Sequence, residues 1–499
     1  MDPVRSRPAA VVVALVLVAC ANEGEDPLER SSTSSTATTH APVVVTAPAT
    51  TTTVALPEPV PVTWTDCDGD LQCGTVAVPV SYQDPTGPTL ELALVKNPAD
   101  LPDQRIGTLV VNPGGPGASG VRRVARGFEI TPEVGDRFDI VGFDPRGVGQ
   151  STPITCGDAV PAFRATDLAP DTPAEEAALE AAARAVADEC AASEGDRLRH
   201  YGSVEVTHDI EVIRRAIQEE RISFVGISYG TLLGQLWAEW YPDSVRALVL
   251  DGVVSPAGAG GAGGSIAQTG AVEQSFTAMD AACEADPSCP LTDVGGLAAG
   301  YDELARRIED GAVRGSGVGP TQLAYAALWA TYDRATWPRL WNAVDRGLDG
   351  DLAGIADLAG SFTRLVTYAP FAIVSCLDGP HPEGYDEWQE GSGAFLETSP
   401  RFGQILFNEL LPCAFWPEGT LEPISVDAAG APPILVVGST GDAATPYETA
   451  DAVARQLDSG ALLTVELDGH VAVEDSDCAD AAITRYLVDL TVPAAGARC

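Results

Sequence analysis

Short apolar runs punctuate the chain at Thr75–Pro79, Leu90–Val95, Thr108–Val111, Phe138–Phe143, Ile222–Ile227, Val245–Leu250, Ile434–Val437 and Leu462–Leu467. Most are rich in Val, Ile and Leu and bounded by Gly, Pro or Asp, the pattern of strands buried on both faces of a mostly parallel sheet. Helical spacing lies between several of them. Ile210, Ile213 and Ile217 make part of one apolar stripe before the Ile222 run, and Leu233, Leu236, Trp237 and Trp240 recur with the same period after it. Tryptophans on such a stripe are core residues. Strand alternating with helix predicts an α/β sheet.

The first twenty residues break this pattern. Arg5 and Arg7 precede an apolar run from Ala9 to Ala19, too short to span a bilayer but suited to the apolar region of a signal peptide. The run ends in Leu17-Val18-Ala19-Cys20, which resembles a bacterial lipobox, a signal whose cysteine is acylated and becomes the new N-terminus. Residues 1–20 are therefore expected to be a lipoprotein signal. A lipid anchor at Cys20 would hold the protein on the outer face of the cell membrane. Residues 21–61 are rich in Ser, Thr, Ala and Pro, a composition that predicts a disordered tether.

Charge narrows the partners. Acidic residues outnumber basic ones 71 to 29, a formal charge of −42, and such a surface repels phosphate backbones and anionic headgroups. Nucleic acid is excluded as a partner, and membrane contact is expected only through Cys20. Ten further cysteines fit an oxidising compartment. Joining chain neighbours predicts Cys67 with Cys73, Cys156 with Cys190, Cys283 with Cys289, Cys376 with Cys413, and Cys478 with Cys499. No Cys-x-x-Cys pair or His/Cys cluster has metal-ligand spacing, so no metal site is expected.

The candidate chemistry begins at Gly226-Ile227-Ser228-Tyr229-Gly230, where an apolar run passes into Gly-x-Ser-x-Gly and then into a helical pattern. That is the context of a nucleophile elbow, with glycines where strand and helix must pack closely. A nucleophilic Ser228 needs a base, and the chain has five histidines. His40 lies in the tether, and His200 and His208 precede the serine, against the order serine, acid, histidine that this elbow uses. His381 sits in an irregular Gly-Pro-His-Pro stretch. His470 follows the Leu462–Leu467 run in Asp468-Gly469-His470, at a strand's C-terminal end, and is the expected base. One strand earlier, Gly438-Ser439-Thr440-Gly441-Asp442 supplies the acid in Asp442, while Asp451 and Asp458 fall on the next helix or its end. The oxyanion donors are expected from the N–H of Tyr229 and of Gly114 or Gly115, in the loop after Leu109-Val110-Val111. The expected fold is an α/β hydrolase, and its triad needs no cofactor.

The chain resembles the secreted tripeptidyl aminopeptidases of the proline-iminopeptidase-like α/β hydrolases. The resemblance rests on Asn112-Pro113-Gly114-Gly115-Pro116-Gly117, Asp144-Pro145-Arg146-Gly147, Gly226 to Gly230, Cys376-Leu377-Asp378 and Cys413-Ala414-Phe415-Trp416-Pro417, and covers about Cys67 to Cys499. It implies a helical cap inserted into the hydrolase domain. The two hundred or so residues between Ser228 and Asp442 call for an insertion independently. The expected layout is hydrolase over 62–255, cap over 256–425, with helices at Leu323–Trp329 and Trp337–Val344, and hydrolase again over 426–499. The resemblance also implies a cap-side acid that binds the substrate's free α-amine, for which Asp378 matches a family motif. The expected activity is release of short peptides, tripeptides first, from free N-termini of a peptide substrate. A carboxylesterase with the same triad and a non-catalytic surface lipoprotein are the alternatives. Oligomeric state is not legible in the sequence.

Overall fold

A computed structural model describes residues 54–258, 266–313, 315, 317–416 and 425–499. Cys20 and the signal region lie outside the described residues, as does the Ser/Thr/Pro tract up to residue 53.

Nine strands form one sheet in the described residues: β1 Thr65–Asp66, β2 Gln72–Pro79, β3 Thr89–Asn97, β4 Gly107–Asn112, β5 Phe138–Phe143, β6 Ile222–Ile227, β7 Val245–Asp251, β8 Ile434–Ser439 and β9 Gly460–Val465. Their order is β1-β2-β3-β5-β4-β6-β7-β8-β9. The first three and β5 pair antiparallel, and every pair from β5 to β9 is parallel. The eight apolar runs of the sequence all lie on strands, with β9 beginning and ending two residues earlier than its run. The two-residue β1 had no apolar run to mark it.

Side chains alternate across the sheet and so build two cores. Val110, Phe224, Leu248 and Val436 join one, while Leu109, Val111, Val225, Val249 and Val437 join the other. The helices Ser203–Ala216, Gly230–Trp240 and Tyr447–Gln456 cover the first face through Ile210, Ile213, Leu233, Leu236, Trp237 and Val453. Helices Gly120–Ala125, Pro132–Arg137 and Asp477–Asp489 cover the second through Val121, Val124, Val134, Ile483 and Leu487. Each such side chain contributes roughly 1.5–3 kcal/mol of burial. The central strands β4, β6 and β8 are buried along their whole length, which is why their sequences carry no polar alternation.

Between β7 and β8 the chain is helical, including Ile266–Ala285, Gly296–Glu309, Pro320–Ala330, Trp337–Leu348, Ala353–Thr363 and Tyr368–Leu377. Two departures from the sequence expectation concern its edges. The helices Ala159–Arg164 and Pro173–Glu194, which follow β5, are built into the same helical layer: Leu168 donates its N–H to Thr321 and accepts from the Asn408 amide, at 2.9 and 2.8 Å. The end of the expected tether is also held. Val54 and Leu56 pack on the core, Arg215 binds the Pro57 carbonyl and Glu58, and Val62 donates to the Ala216 carbonyl. Two apolar side chains and one arginine suffice to fix a segment whose average composition predicts disorder.

All five expected disulfides join chain neighbours as foreseen. Among the described residues no helix is long and apolar enough to cross a membrane.

The loop after β5 is fixed by a fully buried ion pair. Arg146 grips both oxygens of Asp209, at 2.6 and 2.8 Å, and also donates to the carbonyls of Pro79, Val80 and His200. Tyr82 adds its hydroxyl to Asp209. Breaking one side of such a pair strands a buried charge, so Arg146→Met is expected to cost about 3–5 kcal/mol. The double variant Arg146→Met/Asp209→Leu is expected to cost less than the single one, as read by urea unfolding.

Candidate active site

The strand β6 ends at Ile227, and Ser228 takes a left-handed backbone with φ 55° before the helix Gly230–Trp240 begins. A side chain bearing β-carbon tolerates that conformation only where its surroundings enforce it. They do so by close backbone packing. A β-carbon on Gly226 would lie 2.3 Å from the Gly230 carbonyl oxygen, and one on Gly230 would lie 2.6 Å from that of Asn112. The serine hydroxyl is thereby presented at the C-terminal edge of the sheet, partly exposed.

The histidine and the acid come from the loops after β9 and β8. His470 Nδ1 lies 2.9 Å from Asp442 Oδ2 and 3.0 Å from Oδ1. A carboxylate only accepts, so Nδ1 carries the proton and Nε2 is left as the basic nitrogen. Asp442 is itself oriented by the N–H groups of Ala444 and Thr445, by the Thr445 hydroxyl at 2.8 Å and by the Val471 N–H. Thr445 escaped the sequence reading, although a threonine three residues past an aspartate is a common partner for its side chain.

The Asp251–Gly252 step lies beside both the serine elbow and the histidine ring. Ser228 donates its N–H to the Asp251 carbonyl at 2.8 Å, while a β-carbon on the next residue, Gly252, would lie 3.1 Å from the His470 ring. Burial by itself would depress the imidazolium of His470, but the carboxylate of Asp442, with Asp251 adding to it, raises the pKa above its usual value. Of the rivals, Asp451 pairs with Arg455 on its own helix, and His208 is packed among Tyr82, Trp240 and Tyr241.

Of the two glycines foreseen as an oxyanion donor, Gly114 is excluded: its N–H is taken by Asn112 Oδ1 at 2.9 Å. Gly114 instead supplies space. A β-carbon there would lie 2.3 Å from the Ile227 carbonyl oxygen and 3.0 Å from Ser228 Cβ. Of the expected donors, the N–H groups of Gly115 and Tyr229 remain as candidates.

The helical insertion closes onto these groups. His470 donates its N–H to the Tyr332 carbonyl at 2.9 Å, and the Tyr332 ring packs edge-on against the imidazole at 5.1 Å. Asp333 bridges Gly469, and Arg334 pairs with Asp468. Asp378 is placed differently from the expectation. It is buried at the end of helix Tyr368–Leu377, and both its oxygens are engaged by Ser203, through the N–H at 2.8 Å and through the hydroxyl. Ser203 in turn bonds the Tyr229 hydroxyl. Burial pushes the Asp378 carboxyl up to about 7 despite those bonds. Its role here is to fasten the insertion to the residue beside the nucleophile. Glu409 is partly exposed, with the Tyr325 hydroxyl at 3.5 Å. Tyr325 packs at a tilt against Phe362, which packs on Tyr332 and so leads to His470. Burial raises the Glu409 pKa, with Arg164 and the Tyr325 hydroxyl opposing the rise. No group of three or more His, Cys, Asp or Glu among the described residues is placed to hold a metal ion.

Comparison with known proteins agrees with this architecture. The chain matches the α/β hydrolase fold family over residues 107–290 and the TAP-like protein family over residues 399–499. It is 32% identical over 476 residues to serine protease Hip1 of Mycobacterium tuberculosis, covering 87% of this chain and 90% of that one. It is 35% identical to carboxylesterase B of Mycobacterium tuberculosis, covering 86% of each. It is 30% identical to tripeptidyl aminopeptidase of Streptomyces lividans, covering 85% of this chain and 84% of that one. Among solved structures, proline iminopeptidase of Mycobacterium smegmatis aligns at TM-score 0.41 and 16% identity, over 83% of this chain and 99% of that one.

The electrostatics around His470 fix a pH dependence. The base must be neutral, and its pKa is raised, so kcat/KM is expected to fall on the acid side with a midpoint above the usual value of about 6.5. Asp442→Asn is expected to move that midpoint downward and to cut kcat about ten-thousandfold. A pH–rate profile of both proteins checks it.

Proposed function

The chain belongs to the TAP-like family of α/β-hydrolase serine hydrolases, and on that premise we propose that it is an aminopeptidase releasing short peptides, tripeptides first, from free N-termini. The observation that carries the proposal is the buried Asp442–His470 pair, set across the Asp251–Gly252 step from a serine held at φ 55°. In this reading Ser228 Oγ attacks the peptide carbonyl as His470 Nε2 takes its proton. The N–H groups of Tyr229 and Gly115 receive the oxyanion. The tetrahedral intermediate collapses, His470 returns the proton to the leaving amine, and water hydrolyses the acyl-enzyme by the same route. Asp442 holds the ring and stabilises the imidazolium without taking the proton.

Restriction to N-termini follows from where charge can be met. Asp378 is buried and bonded to Ser203 while Glu409 is partly exposed, so Glu409 is the carboxylate assigned to the substrate's α-ammonium. Its distance from the nucleophile, across the wall of Tyr332, Phe362 and Tyr325, would set how many residues are released. The site is assigned to the outer face of the cell membrane, with lipid at Cys20, on the strength of the lipobox pattern and five disulfides.

The 35% identity to a protein called carboxylesterase B favours one second reading, in which the same triad cleaves esters. Mass spectrometry of a long peptide with a free N-terminus separates the two: a ladder of three-residue losses, absent for the N-acetylated peptide, is expected. Random internal cuts, or turnover of short acyl esters alone, would overturn the aminopeptidase. Glu409→Gln is expected to raise KM for tripeptidyl substrates about tenfold or more while sparing short acyl esters.

A further inference from the structure

Asp251 ends β7, the strand between the nucleophile's strand and the strand that leads to Asp442. It is fully buried, and it faces both halves of the site at once. Its carbonyl accepts the Ser228 N–H at 2.8 Å. One oxygen of its carboxylate accepts the N–H of Ala472 at 2.9 Å and that of Val473 at 2.7 Å, and the other oxygen lies 3.2 Å from the Ala472 N–H. Those two donors lie two and three residues after His470, in a loop where Val471 and Glu474 both have left-handed backbones, with φ of 68° and 69°. A loop carrying two such non-glycine residues holds its shape only if its backbone is tied down. The residue after Asp251 is a glycine at φ 68°, and a β-carbon there would touch Val471, Thr445 and the His470 ring at 2.8–3.1 Å.

We propose that Asp251 is a positioning residue for the hydrolytic reaction: through one backbone and one side-chain contact it sets the His470 loop in register with the Ser228 elbow. The proposal rests on the reading of Ser228 and His470 as nucleophile and base. Asp442 orients the imidazole ring, and Asp251 orients the main chain that carries the ring. Both N–H groups converge on one carboxylate oxygen, and the negative charge strengthens those bonds, a gain that an amide oxygen forfeits along with the second acceptor facing Ala472. The charged and titratable groups facing it are Asp442, from the loop after β8, and His470, from the loop after β9; β6 brings none. Burial pushes the Asp251 carboxyl up to about 7, the two N–H groups oppose that rise, Asp442 adds to it and His470 opposes it.

The test uses the whole enzyme and three variants, Ser228→Ala, Asp442→Asn and Asp251→Asn. Loss of activity and of fluorophosphonate labelling in Ser228→Ala establishes the premise, and its retention would sink the triad reading instead. With the premise in place, Asp251→Asn is expected to lower kcat about a hundredfold or more with KM within about threefold, because misplacement of the base by a fraction of an ångström has that effect. Its acid limb in kcat/KM is expected to move to lower pH, since one carboxylate that favours the imidazolium is gone. A variant with wild-type kcat and an unmoved pH profile overturns the proposal, as does a loss confined to thermal stability. If Asp251→Asn does not fold, hydrogen exchange in the wild-type enzyme decides. The amides of Ala472 and Val473, corrected for intrinsic rates, are expected to be protected at pH 8. Unprotected amides at pH 8 overturn it.

Discussion

A serine at the end of a buried strand, bent into the left-handed region, persists only where main chain presses on main chain from every side. Gly226 and Gly230 let the strand and the following helix touch, and Gly114 lets the loop after β4 lie against Ser228 itself. The remaining side is closed by the Asp251 carbonyl, which takes the serine's N–H. The strain stored at Ser228 is therefore offset by the packing of four parallel strands whose apolar faces are buried in two cores. The placement of the histidine, the acid and the oxyanion donors all derives from that one meeting of strand ends.

The insertion is coupled to this edge at two points rather than resting over it. Tyr332 and Asp333 pair with the main chain of His470 and Gly469, and Asp378 reaches Tyr229 through Ser203. One contact touches the residue proposed as the base, and the other touches the side chain of the residue whose N–H is proposed as an oxyanion donor. A substrate held by the insertion therefore acts on groups that share its own support, a geometry suited to making binding energy felt at the reacting carbonyl.

Local pattern made much of this legible. Buried parallel strands read as Val/Ile/Leu runs because both their faces are covered, and the elbow, Asp442 and His470 follow from strand ends and chain order. Counting cysteines left the disulfide pairing open, and the simple neighbour rule matches the five bridges because each joins cysteines adjacent along the chain. Contacts made across the fold were not. Nothing near Asp378 in sequence reveals that Ser203, at the start of a distant helix, occupies its oxygens. Glu409 carries no motif, and its position against Tyr325 exists only once the helices pack. Residues 54–61 show the limit of composition, since a polar average hides Val54 and Leu56.

The acid surplus has a second side once the interior is considered. Most of the 71 acidic residues solvate the surface, yet several of the buried ones tie loops rather than pair with cations. Asp144 accepts from Val121, Gln150 and Ser119, Asp251 from Ala472 and Val473, Asp378 from Ser203, and Asp442 from Ala444, Thr445 and His470. Only Asp209, gripped by Arg146, follows the ion-pair pattern in this set. A carboxylate suits the first task because it accepts on both oxygens and donates on neither, so it can gather two N–H groups from a loop without presenting a hydrogen to either. An amide at the same place keeps only one such oxygen and carries no charge. Loops around the C-terminal edge of a parallel sheet expose N–H groups that no strand can pair, and buried aspartates are a compact way to satisfy them. The same residue type that does the chemistry at Asp442 therefore also builds the frame in which that chemistry is possible.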